Sequence, residues 1–290
     1  MADEPIQRWV QINGIQVSYF ESGLAWRGRG ASMLLAHATG FHARCWDQVV
    51  AHLGERHVIA LDQRGHGRTD KTPITGWQVF GRDLEAFVGA LALHDVIGVG
   101  HSMGGHAMVE AAAAAPQCFQ RLVLLDPVIG PPESYGATWS AALLAGGEHP
   151  TARRKHHFTS PEEMIERFRT RPPYASFTPA ALRDYCVYGL LPAPQGGFEL
   201  ACPPRIEASI YMSSLSNPGV HDSVRALDLP VLVVRAKQPP TERDAMDFSF
   251  SPTWPGLAQA LRRGRDLHWA DRSHFMPMEI PQRVAAVIVG

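Results

Sequence analysis

The sequence predicts an α/β protein: a mostly parallel central sheet with helices on both faces, carrying an inserted, mainly helical cap. Two observations predict the sheet. Short β-branched or apolar runs recur at 33–36, 57–61, 95–100 and 121–126. Between them lie stretches with apolar residues at helical spacing, as parallel strands joined by crossover helices require. A third observation predicts the cap. From 127 to 228 prolines are frequent and strand-like runs stop; the alternation resumes at Pro230-Val231-Leu232-Val233-Val234-Arg235-Ala236. The core is therefore expected over 1–128 and 229–290, with the cap inserted as 129–228.

Taken in order, residues 9–12 and 15–20 alternate in polarity around Asn13-Gly14, a dipeptide suited to the positive φ angles of a tight hairpin turn. This hairpin is expected to add an antiparallel edge to the sheet. A glycine- and arginine-bearing loop over 24–30 leads to a buried strand at 33–36. A helix is expected over 46–53 and a strand over 57–61, followed by the glycine-rich turn Asp62-Gln63-Arg64-Gly65-His66-Gly67. Val79, Phe80, Leu84, Phe87, Val88 and Leu91 mark one face of a helix within 76–93. The strand at 95–100 runs through a short turn into an alanine-rich helix that Pro116 stops. Another strand ends at Asp126. Within the cap, 161–169 and 179–188 have helical character. The returning core supplies a strand at 230–236, a helix at 255–263, a strand at 266–270 and a last helix from Pro281.

Composition bounds the partners. The 290 residues suffice for a large core, with 45% hydrophobic and 19% charged residues. A formal net charge of −1 argues against nucleic acid or an anionic membrane surface as partner. No apolar run approaches membrane-spanning length. The opening Met1-Ala2-Asp3-Glu4-Pro5 is acidic and has no apolar stretch behind it, so no secretory signal is expected. Cys45, Cys118, Cys186 and Cys202 have neither paired nor zinc-like spacing. A cytoplasmic protein with no disulfide, metal or organic cofactor is expected, and a homodimer formed through the cap is compatible with the sequence.

The chemistry centres on Gly100-His101-Ser102-Met103-Gly104. Set between a strand and a helix, a serine at this spacing sits on a sharp turn whose neighbours must be small for strand and helix to approach. The turn lifts the Ser102 hydroxyl clear of the sheet. It also puts the Met103 amide at a helix N-terminus, where it can donate to a developing oxyanion.

Four motifs in this order make the chain resemble the α/β-hydrolase superfamily over about 9–128 and 229–289. They are His37-Ala38-Thr39-Gly40, the Asp62–Gly67 turn, the Ser102 elbow and the late Ser273-His274-Phe275. Two departures stand out. Ala38 occupies a position where the family usually has glycine. Lys237-Gln238-Pro239-Pro240 follows the strand after which the family commonly places a carboxylate.

The resemblance implies a serine hydrolase. Ser102 is the expected nucleophile and His274 the expected base, following the order serine, acid, histidine. Asp126, ending the strand after the nucleophile helix, is the favoured acid, and Asp247 the alternative; Asp244 lies in the same loop. The expected oxyanion donors are the amides of Met103 and Thr39, with Phe41 the lesser choice. His37 and His66 are read as structural, and Asp62 and Arg64 as a local pair. Trp139, Phe158, Phe168, Tyr174, Phe177, Tyr185, Tyr188 and Tyr211 could line an apolar acyl pocket, whereas the basic run 153–157 reads as solvated surface. Dehalogenases and epoxide hydrolases of this fold place aspartate where Ser102 stands. The reaction expected is carboxylic-ester cleavage of a small molecule through an acyl-enzyme. Lactone, thioester or carbon–carbon hydrolysis by the same residues, a hydroxynitrile-lyase-like reaction, and a non-catalytic ligand receptor are the alternatives.

Overall fold

The computed structural model describes residues 4–74, 76–135, 149–241 and 247–290. Its main sheet has eight strands in the order β1-β2-β4-β3-β5-β6-β10-β11. They are β1 (Ile6–Ile12), β2 (Ile15–Ser22), β3 (Ser32–Ala36), β4 (Val58–Leu61), β5 (Val96–His101), β6 (Phe119–Leu125), β10 (Val231–Arg235) and β11 (Gly264–His268). The run from β4 to β11 is parallel, and β1 and β2 form the antiparallel edge. Asn13 and Gly14, both at positive φ, close the β1–β2 hairpin.

Alternation along the strands divides the core in two. Leu34 and Ala36 of β3, with Leu122 and Leu124 of β6, face helices α2 (Gln78–Ala90) and α3 (Met103–Ala114). Met33 and Leu35, with Val123 and Leu125, face the other way. There they meet Val49 of the short helix α1 (Asp47–Val50), together with Val284, Ala285 and Ile288 of the C-terminal helix (Pro281–Val289). The central strands β3, β4, β5 and β6 are thus buried on both faces, which is why they read as nearly continuous apolar runs.

Between β6 and β10 the chain leaves the sheet. Helices α4 (Pro161–Phe168), α5 (Pro179–Tyr188), α6 (Pro204–Met212) and α7 (Val220–Ala226) dominate the described part. Ser160 and Thr178 cap α4 and α5 with their hydroxyls, and proline occupies an early position in both helices. A three-stranded antiparallel sheet of β7 (His157–Phe158), β8 (Leu190–Pro192) and β9 (Phe198–Leu200) was not expected from sequence, since strands of two or three residues carry no readable period. Val220 and Val224 of α7 join the same apolar cluster as α3. Helix α5 meets the core side on: Gln48 donates to Asp184 at 2.7 Å, and the Arg44 guanidinium lies 3.8 Å from the Tyr188 ring centre. The four cysteines are free and buried. Among the described residues no helix is long and apolar enough to cross a membrane.

Candidate active site

Strand β5 delivers Ser102 to the C-terminal edge of the sheet. Its backbone is held at φ 58° and ψ −119°, a conformation that non-glycine residues rarely adopt. The surroundings enforce it. A Cβ on Gly104 would stand 2.2 Å from the Ala36 carbonyl oxygen, and one on Gly100 would stand 2.4 Å from the Gly104 oxygen. Strand and helix therefore approach closely only because both positions are glycine. The Ser102 amide donates to Leu125 at 3.0 Å, and its carbonyl accepts from Gly105, His106 and Val128.

His274 follows β11 and reaches back to this edge. Its Nε2 lies 3.0 Å from Ser102 Oγ, and its Nδ1 lies 2.7 Å from Asp126 Oδ2. With a carboxylate facing Nδ1, that nitrogen carries the proton and donates, which leaves Nε2 to accept from the serine hydroxyl. Two further contacts hold the loop. His274 N donates to Ser249 O at 2.9 Å. His101 Nε2 donates to the His274 carbonyl at 2.8 Å; burial, then the neighbouring His274, push its pKa well below the usual histidine value. Ser102, Asp126 and His274 are all buried.

Asp126 also takes a positive φ, 48°. Its Oδ1 accepts from the Ala236 amide at 3.0 Å, from Thr253 Oγ1 at 3.2 Å and from Ser251 Oγ. The end of β10, where the family commonly places a carboxylate, here contributes an amide that orients the aspartate of β6. Asp247 instead accepts from Ser249 N at 2.9 Å, in the loop that also touches His274 N. Asp244 and Trp139 lie outside the described residues. Ser251 and Thr253 were not expected from sequence to serve the site. No spacing marks them, since their relation to Asp126 exists only across the folded sheet edge.

The loop after β3 is fixed by two neutral histidines. His37 Nδ1 donates to Ala38 O at 2.7 Å, and its Nε2 accepts from Gln63 N at 3.0 Å. Burial pushes His37 down to about 4, so it is an acceptor at neutral pH. His66 Nε2 accepts the Gly40 amide at 3.0 Å, and burial likewise depresses its pKa. The Phe41 amide donates to Ala38 O at 3.2 Å. Among the described residues the Thr39 amide has no acceptor, nor does the Met103 amide at the first position of α3. Thr39 Oγ1 lies 3.4 Å from Met103 Sδ, which brings the two residues together. The Asp62–Gly67 turn differs from the expected local pair. Asp62 accepts from the Ala43 and Arg68 amides, while Arg64 pairs with Asp83 of α2 at 2.6 Å. A buried carboxylate between two loop amides is better matched by those donors than by a guanidinium that can reach a helix.

Over this edge lies a cavity of about 470 Å³, bounded by Thr39, Gly40 and Phe41 below and by Phe275, beside His274. Phe168, Tyr174, Tyr185 and Tyr211 are among its lining residues. Phe158 and Phe177 are instead buried in packing, and Tyr188 lies against Arg44. The basic run 153–157 departs from a solvated surface at Arg154. This residue donates to Glu207 Oε2 at 2.7 Å and to Tyr185 Oη at 3.3 Å on the cavity wall.

This arrangement of elbow, histidine and carboxylate on a mostly parallel sheet defines a class. The chain belongs to the alpha/beta hydrolase family, whose model matches residues 33–287, and it is a hydrolase of that family. Lipase LipV of Mycobacterium tuberculosis is 30% identical over 268 residues, covering 89% of this chain and 92% of the lipase. The 2-(acetamidomethylene)succinate hydrolase of Mesorhizobium japonicum is 34% identical over 128 residues. That match spans 43% of this chain and 44% of the relative, less than half of either. The crystal structure of an E-2-(acetamidomethylene)succinate hydrolase superposes with a TM-score of 0.74 at 22% identity, over 98% of this chain and 97% of the other. At that identity the likeness concerns the fold.

Proposed function

We propose that this protein is a serine hydrolase that cleaves carboxylic esters through an acyl-enzyme, with residues 129–228 acting as a cap over the substrate. The observation that carries the reading is the continuous hydrogen-bonded line from Ser102 Oγ through His274 to Asp126. In the first step Ser102 Oγ attacks the ester carbonyl carbon while His274 Nε2 takes its proton. Asp126 keeps the imidazole in the required tautomer and stabilises the imidazolium that forms. The carbonyl oxygen becomes an oxyanion that accepts from the Met103 and Thr39 amides, whose donors are fixed before reaction and need no reorganisation. Collapse expels the alcohol, protonated by His274. Water, deprotonated by the same nitrogen, then releases the acid and restores Ser102.

The similarity to a lipase over most of both chains supports esters as the substrate class. The test is labelling with a fluorophosphonate probe together with turnover of p-nitrophenyl esters. Stoichiometric labelling and ester turnover are expected, both abolished in Ser102→Ala. Labelling without turnover of any ester would favour a ligand receptor. Release of cyanide from a cyanohydrin, without an acyl-enzyme, would favour a lyase.

A further inference from the structure

The cavity bounded by Thr39 and Phe275, at the sheet edge that carries Ser102, is cationic out of proportion to the chain. The whole sequence carries 27 lysines and arginines against 28 acidic residues. The cavity is lined by Arg153, Arg154, Lys155, Arg167 and Arg171, with Glu207 the carboxylate among its described lining residues. The cations come from two separate walls, one preceding β7 and the other at and beyond the end of α4. Glu207 is already engaged by Arg154, and Lys155 by Glu163 outside the lining. Among the described residues no carboxylate pairs with Arg167 or Arg171. Like charges gathered in one cleft repel, and low-dielectric walls strengthen that field; an anion entering the cleft relieves it. The lining also carries an aromatic set that includes Phe168, Tyr174 and Tyr211.

We propose that the substrate is an ester carrying a carboxylate remote from the scissile bond, with an apolar body against the aromatic wall and the carboxylate met by Arg167 and Arg171. This deepens the ester-hydrolase reading and rests on it. A guanidinium presents a planar fork of donors that matches a carboxylate in two parallel bonds, and the open mouth of the cavity leaves both side chains free to adjust. Arg154 serves differently. Fixed to Glu207 and Tyr185, it supplies a positive background, and its removal would strand a buried carboxylate. It is therefore a poor probe of recognition, whereas Arg167 and Arg171 stand near solvent and can be replaced without opening the core.

The experiment compares matched esters differing only in the remote charge. On the acyl side, mono-p-nitrophenyl adipate is set against its terminal amide. On the alcohol side, para-acetoxybenzoate is set against para-acetoxybenzamide. The expected result is a preference of about tenfold in kcat/KM for the anionic member of at least one pair, expressed in KM and weakened by 0.5 M salt as screening requires. The pair that responds identifies the side carrying the carboxylate. In the double variant Arg167→Gln/Arg171→Gln, with folding checked by circular dichroism, the preference falls to within about twofold of unity. Equal turnover within both pairs by the wild type overturns the proposal, as does a preference that survives in the double variant. Calorimetric binding of the same esters to Ser102→Ala separates the two readings. Tighter binding of an anionic member without turnover in the wild type sinks the ester-hydrolase reading alone. Equal binding within both pairs sinks the anionic-substrate proposal whatever the turnover.

Discussion

Asp126 divides its two oxygens between different tasks. One faces His274 Nδ1, and the other accepts from Ala236 N, Ser251 Oγ and Thr253 Oγ1. This division makes Asp126→Asn informative. The amide oxygen must occupy the second position to satisfy those donors, so the NH2 group turns toward His274 and forces its proton onto Nε2. Nε2 could then no longer accept from Ser102, and turnover is expected to fall on the order of ten-thousandfold with the circular dichroism spectrum unchanged. Asp247→Asn retains an oxygen for Ser249 N and is expected to stay within about twofold of wild type in the same assay. The reverse pattern would assign the acid to Asp247. The sequence favours Asp126 and keeps Asp247 as the alternative, because both follow core strands. Which of them faces His274 depends on a loop path that no local pattern encodes. For the loop after β3 the sequence likewise offers the Thr39 amide as the expected oxyanion donor, with Phe41 the lesser choice. In the fold, the Phe41 amide is turned onto Ala38 O and the Gly40 amide onto His66.

At the scale of elements, the junction of β5 and α3 is held close by glycines on both sides of the elbow. The Cβ of a Gly104→Ala variant would meet the backbone of β3, not the flexible end of a side chain. Relief would require moving β3 or α3, both packed on the sheet. A loss of about 3 kcal/mol or more is expected in urea unfolding, with probe labelling of Ser102 reduced alongside it. A stability within ~0.5 kcal/mol of wild type would mean that the elbow tolerates wider spacing than its geometry implies. The core strands, the β1–β2 hairpin and helices α2 to α5 were legible from period and caps. The brief strands β7 to β9 were not, and neither was α7, whose apolar residues match α3 only when the two are side by side. Helix α1 is shorter than the expected 46–53 helix: Trp46 belongs to a 3-10 turn, and the amides of His52 and Leu53 reach back three residues, to Val49 and Val50, which closes the chain in a turn.

For the whole molecule, the buried imidazoles set the response to acid. Burial holds His37 and His42 at about 4, against an ordinary value near 6.5, and pushes His66 and His101 well down. As pH falls below 6.5 the unfolded chain protonates these groups while the folded protein does not, so stability is lost until the folded values are reached. For His37 and His42 the loss is about 2 kcal/mol each by pH 5. Asp47 runs the other way. Burial raises it to about 6, so it contributes stability as pH falls from about 6 toward its ordinary 3.8, and Asp184 is raised in the same sense. Four imidazoles outweigh two carboxylates, so Tm is expected to be highest near or above pH 7 and to fall steadily to pH 4.5. A Tm independent of pH between 7 and 5 would show that these histidines are solvated. By itself, the sequence determined the parallel α/β core, the serine on its elbow and the histidine after the last strand. The core and the elbow are written in local period and small-residue spacing, which one strand and its turn enforce; the histidine follows from the chain order of the family that the sequence resembles. Tertiary structure alone decided which aspartate faces His274, which loop amides stay open and where the cations of 153–171 gather. Those contacts join residues distant in the chain, and their geometry depends on how the sheet edge and the segment above it close on each other.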